Sequence, residues 1–262
     1  MTSIIAAHDF AAHFSLVMID EKTEKHLGNF PYDRSIYAQA IDACADYEAK
    51  AVILKFFIDL PKSEIGDSKL KEAMIKIPVI LQARLNAPDG TKRKIPKEFA
   101  LTQQDLTPGY SGKTGWIPLS KFMETAHGIG FVDFNTVNQI PLIEEYGDTL
   151  YPSLILHCLE LATGNKAVFS GQNKVEFGER LLSVNESNIY AGKIETWEPV
   201  EYLSLIDLIQ HKLPRHSLKG KIVILGWDTS QTPTIETEHG PKKIHQLFSQ
   251  CLAAVYNDLI NK

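Results

Sequence analysis

FSLVMIDEKTEKHLGNFPYDR, residues 14–34, decides how this chain begins. Phe14 to Ile19 is a short apolar run that ends at the acidic pair Asp20 and Glu21, the pattern of a buried strand reaching the surface. A surface passage with Gly28 and Pro31 follows and launches a helix near Arg34. From Arg34 to Glu48, Tyr37, Ala40, Ile41, Cys44 and Ala45 fall on one helical face. AVILKFFIDL at 51–60 is almost continuously apolar, as a strand covered on both faces should be. A short helix over 68–76 and a third strand over 78–85 (PVILQARL) continue the alternation. The order strand–helix–strand–helix–strand predicts a parallel sheet with right-handed crossovers.

Residues 86–117 break this rhythm with Gly90, Gly109, Gly112 and Gly115 and with Pro88, Pro96 and Pro108, which predicts a long surface excursion. A helix over 119–126, a strand over 129–134 (IGFVDF) and a helix over 152–162 stopped by Gly164 come next. Residues 166–183 read as paired strands around a turn at Gly171-Gln172-Asn173. A helix near 202–211 precedes LKGKIVILGWD, in which 221–226 is a central strand. The chain closes in a helix over 242–259 whose apolar stripe runs from Ile244 to Leu259. The first and last strands both read as central, so they are expected side by side in one core. The expected architecture is α/β: a single domain, 1–262, with a central largely parallel sheet flanked by helices plus a β-hairpin insertion.

Composition narrows the function classes. The chain carries 27 basic and 32 acidic residues, a formal net charge of −5, with 44% hydrophobic and 23% charged residues. No clustered Lys and Arg footprint for nucleic acid exists, and the one basic stretch, Lys92 to Lys97, reads as a solvated loop. No apolar run approaches the ~18 residues of a membrane span. The N-terminus is a poor secretory signal. Cys44, Cys158 and Cys251 each fall on a helical apolar stripe without paired spacing, which reads as buried thiols rather than disulfides or zinc ligands.

Motif searches point away from catalysis. TPGYSGKTG at 107–115 imitates a phosphate-binding loop, but Thr107 stands where the pattern needs glycine, and Trp116-Ile117-Pro118 resists a helix. No G-x-S-x-G elbow is present. His8 and His13 have the wrong spacing for a shared helical face. His239 and His245 bracket Gly240-Pro241, and His245 stands in the first turn of the last helix, where it can cap or line a pocket.

The coherent polar set lies at strand exits: Asp20 and Glu21 after the first strand, Asp59 after the second, Asp133 and Asn135 after IGFVDF, and Asp228 and Thr229 after the last. Carboxyl ends of parallel strands converge on one edge, where ligands bind. Asp, Asn and Thr also cap helices and turns, which is the simpler role. The candidate ligand-binding residues are therefore Asp20, Asp59, Asn135, Asp228, Thr229 and His245, with no catalytic residue, metal ligand or cofactor expected.

The order of these segments resembles the second CHASE family, the cyclase and histidine-kinase associated sensory extracellular domains. The matching pieces are VMIDEKTEKHLGNFPYDRSIYAQAI at 17–41, AKAVILKFFID at 49–59, GIGFVDFN at 128–135, LYPSLILHCLEL at 150–161, LKGKIVILGW at 218–227 and PKKIHQLFSQCL at 241–252. Asp20, Gly28, Pro31, Arg34, Gly130, Asn135, Gly226 and His245 stand at positions matching its motifs. The resemblance implies a bacterial sensor domain outside the cytoplasmic membrane, taking an unknown small-molecule or peptide signal and feeding a membrane-linked cyclase or kinase effector, and open to homodimerisation. It carries over no binding residues. Trp227-Asp228-Thr229-Ser230 departs from the small residues usual in the family after the last strand, which reshapes a pocket at that edge. The absence of flanking spans here implies an isolated sensory part or a freestanding relative. Two alternatives stay open: a metal-assisted hydrolase using the strand-exit carboxylates, and a protein interaction scaffold.

Overall fold

The structure is a computed structural model and describes residues 10–133, 139–171, 173–190, 192, 200–237 and 240–261. Asn135, His8, His239 and Gln172 lie outside them. The first strand, β1, spans Phe14–Ile19 as its apolar run requires. A helix the sequence reading passed over, α1, Glu21–Leu27, follows at once. Its residues EKTEKHL carry no apolar stripe. It forms because Asp20 caps it, Glu21 and Glu24 suit its positive end and Lys25 and His26 its negative end. Thr23 alone is buried.

Helix α2, Arg34–Asp46, is capped by Asp33. Hydrogen bonds from Ser63 and Ser35 hold the Asp33 carboxyl down at about 2. Strand β2, Ala51–Leu54, is shorter than the apolar run 51–60, because the chain turns away after Lys55. Ser63 caps α3, Glu64–Met74, and β3 spans Val79–Leu85. The excursion contributes β4, Tyr110–Gly112, and β5, Gly115–Trp116, before the short helix α4, Ser120–Met123, and β6, Gly128–Phe131. So the loop at 107–115 feeds strands rather than a helix.

Strands β7 (Ile140–Pro141), β8 (Ile143–Tyr146) and β9 (Thr149–Pro152) lead to α5, Leu154–Thr163. Gly164 ends α5 in the left-handed conformation at φ 72°, as a helix C-terminus favours. The meander β10 (Val168–Gly171), β11 (Lys174–Phe177) and β12 (Arg180–Ser183) realises the predicted paired strands. After β13 (Ile189–Tyr190), the predicted helix near 202–211 divides into β14, Tyr202–Ser204, and α6, Leu205–Ile209. Then come β15, Ile222–Trp227, the short pair β16 (Thr234–Ile235) and β17 (Lys242–Lys243), and the long helix α7, Ile244–Ile260.

The main sheet runs β14-β1-β15-β2-β3, with β6 and β5 both on β3. All of its pairs are parallel except β3 with β5. The chain's first and last long strands are neighbours, in register from Phe14↔Ile222 to Ile19↔Trp227. Alternating side chains send Val17, Val52 and Leu81 to one core with α2, α3, α4 and α6, and Leu16, Ile53 and Ile80 to a second core with α5, α7 and the meander. The fold is therefore α/β, a sheet between two helical layers. Cys44, Cys158 and Cys251 are buried in these cores and form no disulfide with one another.

Candidate functional site

The strand order decides where a site can form. β15 sits between β1 and β2. Chains leaving β1 and β2 enter helices on the first core's face, whereas the chain leaving β15 enters α7 on the other. Such a reversal opens a crevice at the carboxyl ends of the strands. Asp228 stands there, directly after β15.

Asp228 is buried, and its backbone N–H donates to the Ile19 carbonyl at 2.8 Å. Its carboxylate accepts from Lys243 Nζ at 2.5 Å and from Gln246 Nε2 at 2.8 Å. Both donors belong to the start of α7, which has no side-chain cap of its own. Asp228, Lys243 and Gln246 line a cleft of about 490 Å³ with Val200, Glu201 and Tyr202. Burial, then the carboxylates of Asp228, Asp20 and Glu21, raise the Tyr202 phenol above its ordinary value. A smaller hollow, about 170 Å³, lies near Thr107 and Asn188, by the meander and away from the strand exits.

Asp20 joins this edge from β1. Its Oδ1 accepts from Thr23 N at 2.9 Å, Thr23 Oγ1 at 2.7 Å and Ser204 Oγ at 2.8 Å. It caps α1 and ties β1 to β14. Thr229 is fully buried in a turn: its N–H donates to Thr232 Oγ1 at 2.9 Å. Glu21 Oε1 accepts from the next backbone N–H, Ser230, at 2.7 Å.

Asp59 does not share this edge by way of a strand. β2 ends at Leu54, and Asp59 lies in the stretch beyond it, its carbonyl accepting from Arg93 at 3.2 Å. Arg93 is thus partly anchored rather than free in solvent, a correction to the solvated-loop expectation for 92–97. His245 lies on α7 but faces the sheet, packed against Gly226 and 6.1 Å from the Phe56 ring. Burial, then Lys55, pushes its imidazole well below its ordinary value, so it is neutral at pH 7.

The CHASE2 domain family matches residues 5–257, nearly the whole chain. The chain belongs to that family. It is a family of sensory extracellular domains. No curated protein and no solved structure matches the chain. Among the described residues of this CHASE2 domain, no helix is long and apolar enough to cross a membrane. Nor do they hold a group of three His, Cys, Asp or Glu side chains able to take a metal ion.

Sequence reasoning missed two polar features of this domain. One is Lys55, the residue that actually leaves β2, hidden inside an apolar run. The other is the pairing of Asp133 with Glu144 of β8. Asp133 Oδ2 accepts from Leu85 N at 2.8 Å. Glu144 is fully buried, with its carboxyl beside that of Asp133. Two carboxylates repel each other, so the neutral form of Glu144, which carries a proton, is the one favoured beside Asp133. Burial, then the charge on Asp133, raises Glu144 well above its ordinary value.

Above pH 4.5, the ordinary value, the unfolded chain releases this proton and the folded chain retains it. The pair's contribution is therefore complete below that pH and declines as pH rises through the folded value. Glu144→Gln, which keeps a donor for Asp133, is expected to flatten this alkaline decline. Urea unfolding over a pH series measures it; parallel curves for the two proteins would refute the retained proton.

Proposed function

We propose that residues 1–262 form one sensory domain that recognises a polar solute at the β15 exit, with no catalysis of its own. The single observation that carries this reading is the position of the Asp228 cleft. It opens at the topological reversal of the sheet, between the start of β14 and the start of α7, and β1 is tied to it through the Asp228 N–H. A solute entering it meets Asp228, Lys243 and Gln246, whose mutual bonds can be exchanged for bonds to a ligand. Asp20, Thr229 and His245 support the walls of this edge through the ties described above, while Asp59 and Asn135 enter the reading only as expectations.

The transmission step follows from connectivity. Lys243 and Gln246 move with α7, and Ile19, bonded to Asp228, moves with β1. Closure on a solute shifts α7 against β1, the two elements through which a parent protein's membrane helices would join this domain. A small displacement there biases a cyclase or kinase effector between two states. On this reading the domain works outside the cytoplasmic membrane, in keeping with a family of sensory extracellular domains. Recognition of a small-molecule or peptide signal and homodimerisation remain parts of the same proposal.

Thermal unfolding of the whole chain with a panel of polar solutes tests it. A binding solute is expected to raise the midpoint for the native chain, and Asp228→Ala to weaken that solute at least ~30-fold, as loss of a buried charged contact does. Asp228→Ala leaves Lys243 partly exposed to water, so the variant is expected to fold. An unaltered response in the variant would remove this cleft as the site.

A further inference from the structure

One row of residues crosses the sheet at its carboxyl end on the face covered by α5 and α7. Met18 pairs with Gly226. Lys55 follows Leu54, which pairs with Leu225 and Leu81, and its N–H continues the ladder to the Leu225 carbonyl at 3.0 Å. Gln82 pairs with Gly130. Lys55 and Gln82 therefore stand side by side, one step beyond the Leu54–Leu81 pair. Alternation puts them on the face of Ile53 and Ile80, within the second apolar core.

The two glycines on either side let helices land. A Cβ on Gly226 would lie 2.8 Å from His245 Nδ1, and one on Gly130 would lie 2.5 Å from the Leu154 Cα. The first turns of α7 and α5 thus flank Lys55 and Gln82, with the positive ends of both helices directed at this edge.

Polar groups so placed should be partnered, and here they are not. Lys55 is 6% exposed; its ammonium lies 4.1 Å from the Phe248 ring centroid and meets no carboxylate or other acceptor among the described residues. Gln82 is 4% exposed and His245 5%. Neither Gln82 Oε1 nor His245 Nδ1 has a hydrogen-bond partner. Two unpartnered polar atoms thus lie at the same end of this face as a buried ammonium whose one close neighbour is an aromatic ring.

We propose that Lys55, Gln82 and His245 form an interior binding site, separate from the Asp228 cleft, for a small carboxylic acid that carries a hydroxyl or amine donor. The carboxylate takes the Lys55 ammonium, with the helix N-termini adding to the attraction. The donor takes the Gln82 Oε1, which no anion alone would satisfy. His245 closes the site from α7 as a neutral imidazole. Burial pulls Lys55 down to about 7, so an entering carboxylate also draws a proton onto the amine. Lys243, Gln246 and His245 share α7's first turn, which makes it the element both sites can move.

Lactate, glycolate, acetate and sulfate, each titrated into the full chain and followed by calorimetry and thermal unfolding, test the assignment. The hydroxy acids are expected to bind and raise the midpoint, with acetate at least tenfold weaker. Lys55→Met, which keeps the side chain's length and removes the buried charge, is expected to abolish binding while remaining folded. Gln82→Leu is expected to erase the preference for hydroxy acids over acetate. Equal binding to the Lys55→Met variant, equal affinity for acetate and lactate, or no response to any acid would each overturn the site. Asp228→Ala separates the two proposals: it should leave acid binding in place even if it removes the cleft's solute, and acid binding lost in Asp228→Ala but kept in Lys55→Met would assign the acids to the cleft instead.

Discussion

Asp67→Ala is expected to destabilise the protein by about 3–5 kcal/mol, the cost of leaving a buried cation without its partner. Arg34 begins α2 and Asp67 lies in α3, and both are 2% exposed. Arg34 NH1 reaches Asp67 Oδ1 at 2.5 Å, and its NH2 donates to the Leu60 carbonyl. The guanidinium also lies 5.0 Å from the Phe122 ring. Lys121 takes the second carboxylate oxygen at 2.5 Å. Removing the carboxylate strands Arg34 between two helices and the α4 turn, and it cannot move to water without parting them.

The same group gives an acid sensitivity. Burial works to raise the Asp67 carboxyl, but the bonds from Lys121 and Arg34 outweigh it and hold it below its ordinary value of 3.8. Its contribution is complete above that value in the unfolded chain and is lost as pH falls through the lower folded value. Urea unfolding at pH 7 reads the loss in Asp67→Ala, and the acid limb of the stability curve should become shallower in that variant. A change below ~1 kcal/mol would mean the pair contributes no more than an exposed ion pair.

Gly130→Val is expected to cost about 3 kcal/mol or more, above the usual range for overpacking, because the obstacle is backbone. A Cβ at Gly130 would stand 2.5 Å from the Leu154 Cα and 2.7 Å from its N. No rotamer relieves that approach, so α5 would have to lift from β6. Ser153, which caps α5 through Leu156 N at 3.2 Å, and His157, whose Nε2 lies 3.0 Å from the Ile129 carbonyl, would be displaced with it. Thermal and urea unfolding measure the effect; a variant within ~1 kcal/mol of the native chain would show that α5 yields easily.

Periodicity made most elements legible. β1, β3, α2, α5 and α7 are apolar on one face or both, and burial fixes their type. α1 was not legible, because its residues bury only Thr23 and it depends on Asp20 as cap and on the adjoining β14. β2 reads as too long in the sequence, since Phe56, Phe57 and Ile58 are as apolar as the strand before them, although only Lys55 continues the ladder. The region near 202–211 was read as one helix because three residues of strand β14 precede α6 without a break in apolar character.

The candidate site was legible in part. Asp228 announced itself as the first acidic residue after a central strand. Its bonds to Lys243 and Gln246 join positions that local pattern cannot pair. Asp59 followed an apolar run and was placed at a strand exit, but the strand had already ended. Gln82 and Glu144 gave no signal, because a single polar residue in a strand looks the same whether it faces water or lies buried without a partner.

Local residue order determined the α/β class, the parallel character of the sheet and the family, because alternation, capping and turn chemistry act over a few neighbouring residues. Tertiary structure alone decided that β15 enters between β1 and β2, that α7 therefore crosses to the face opposite α2, and that Asp228 meets Lys243 and Gln246 while Lys55 meets Phe248. Strand insertion joins residues about two hundred positions apart, and the free energy that selects it comes from burying both faces of the sheet at once, a quantity no local window contains.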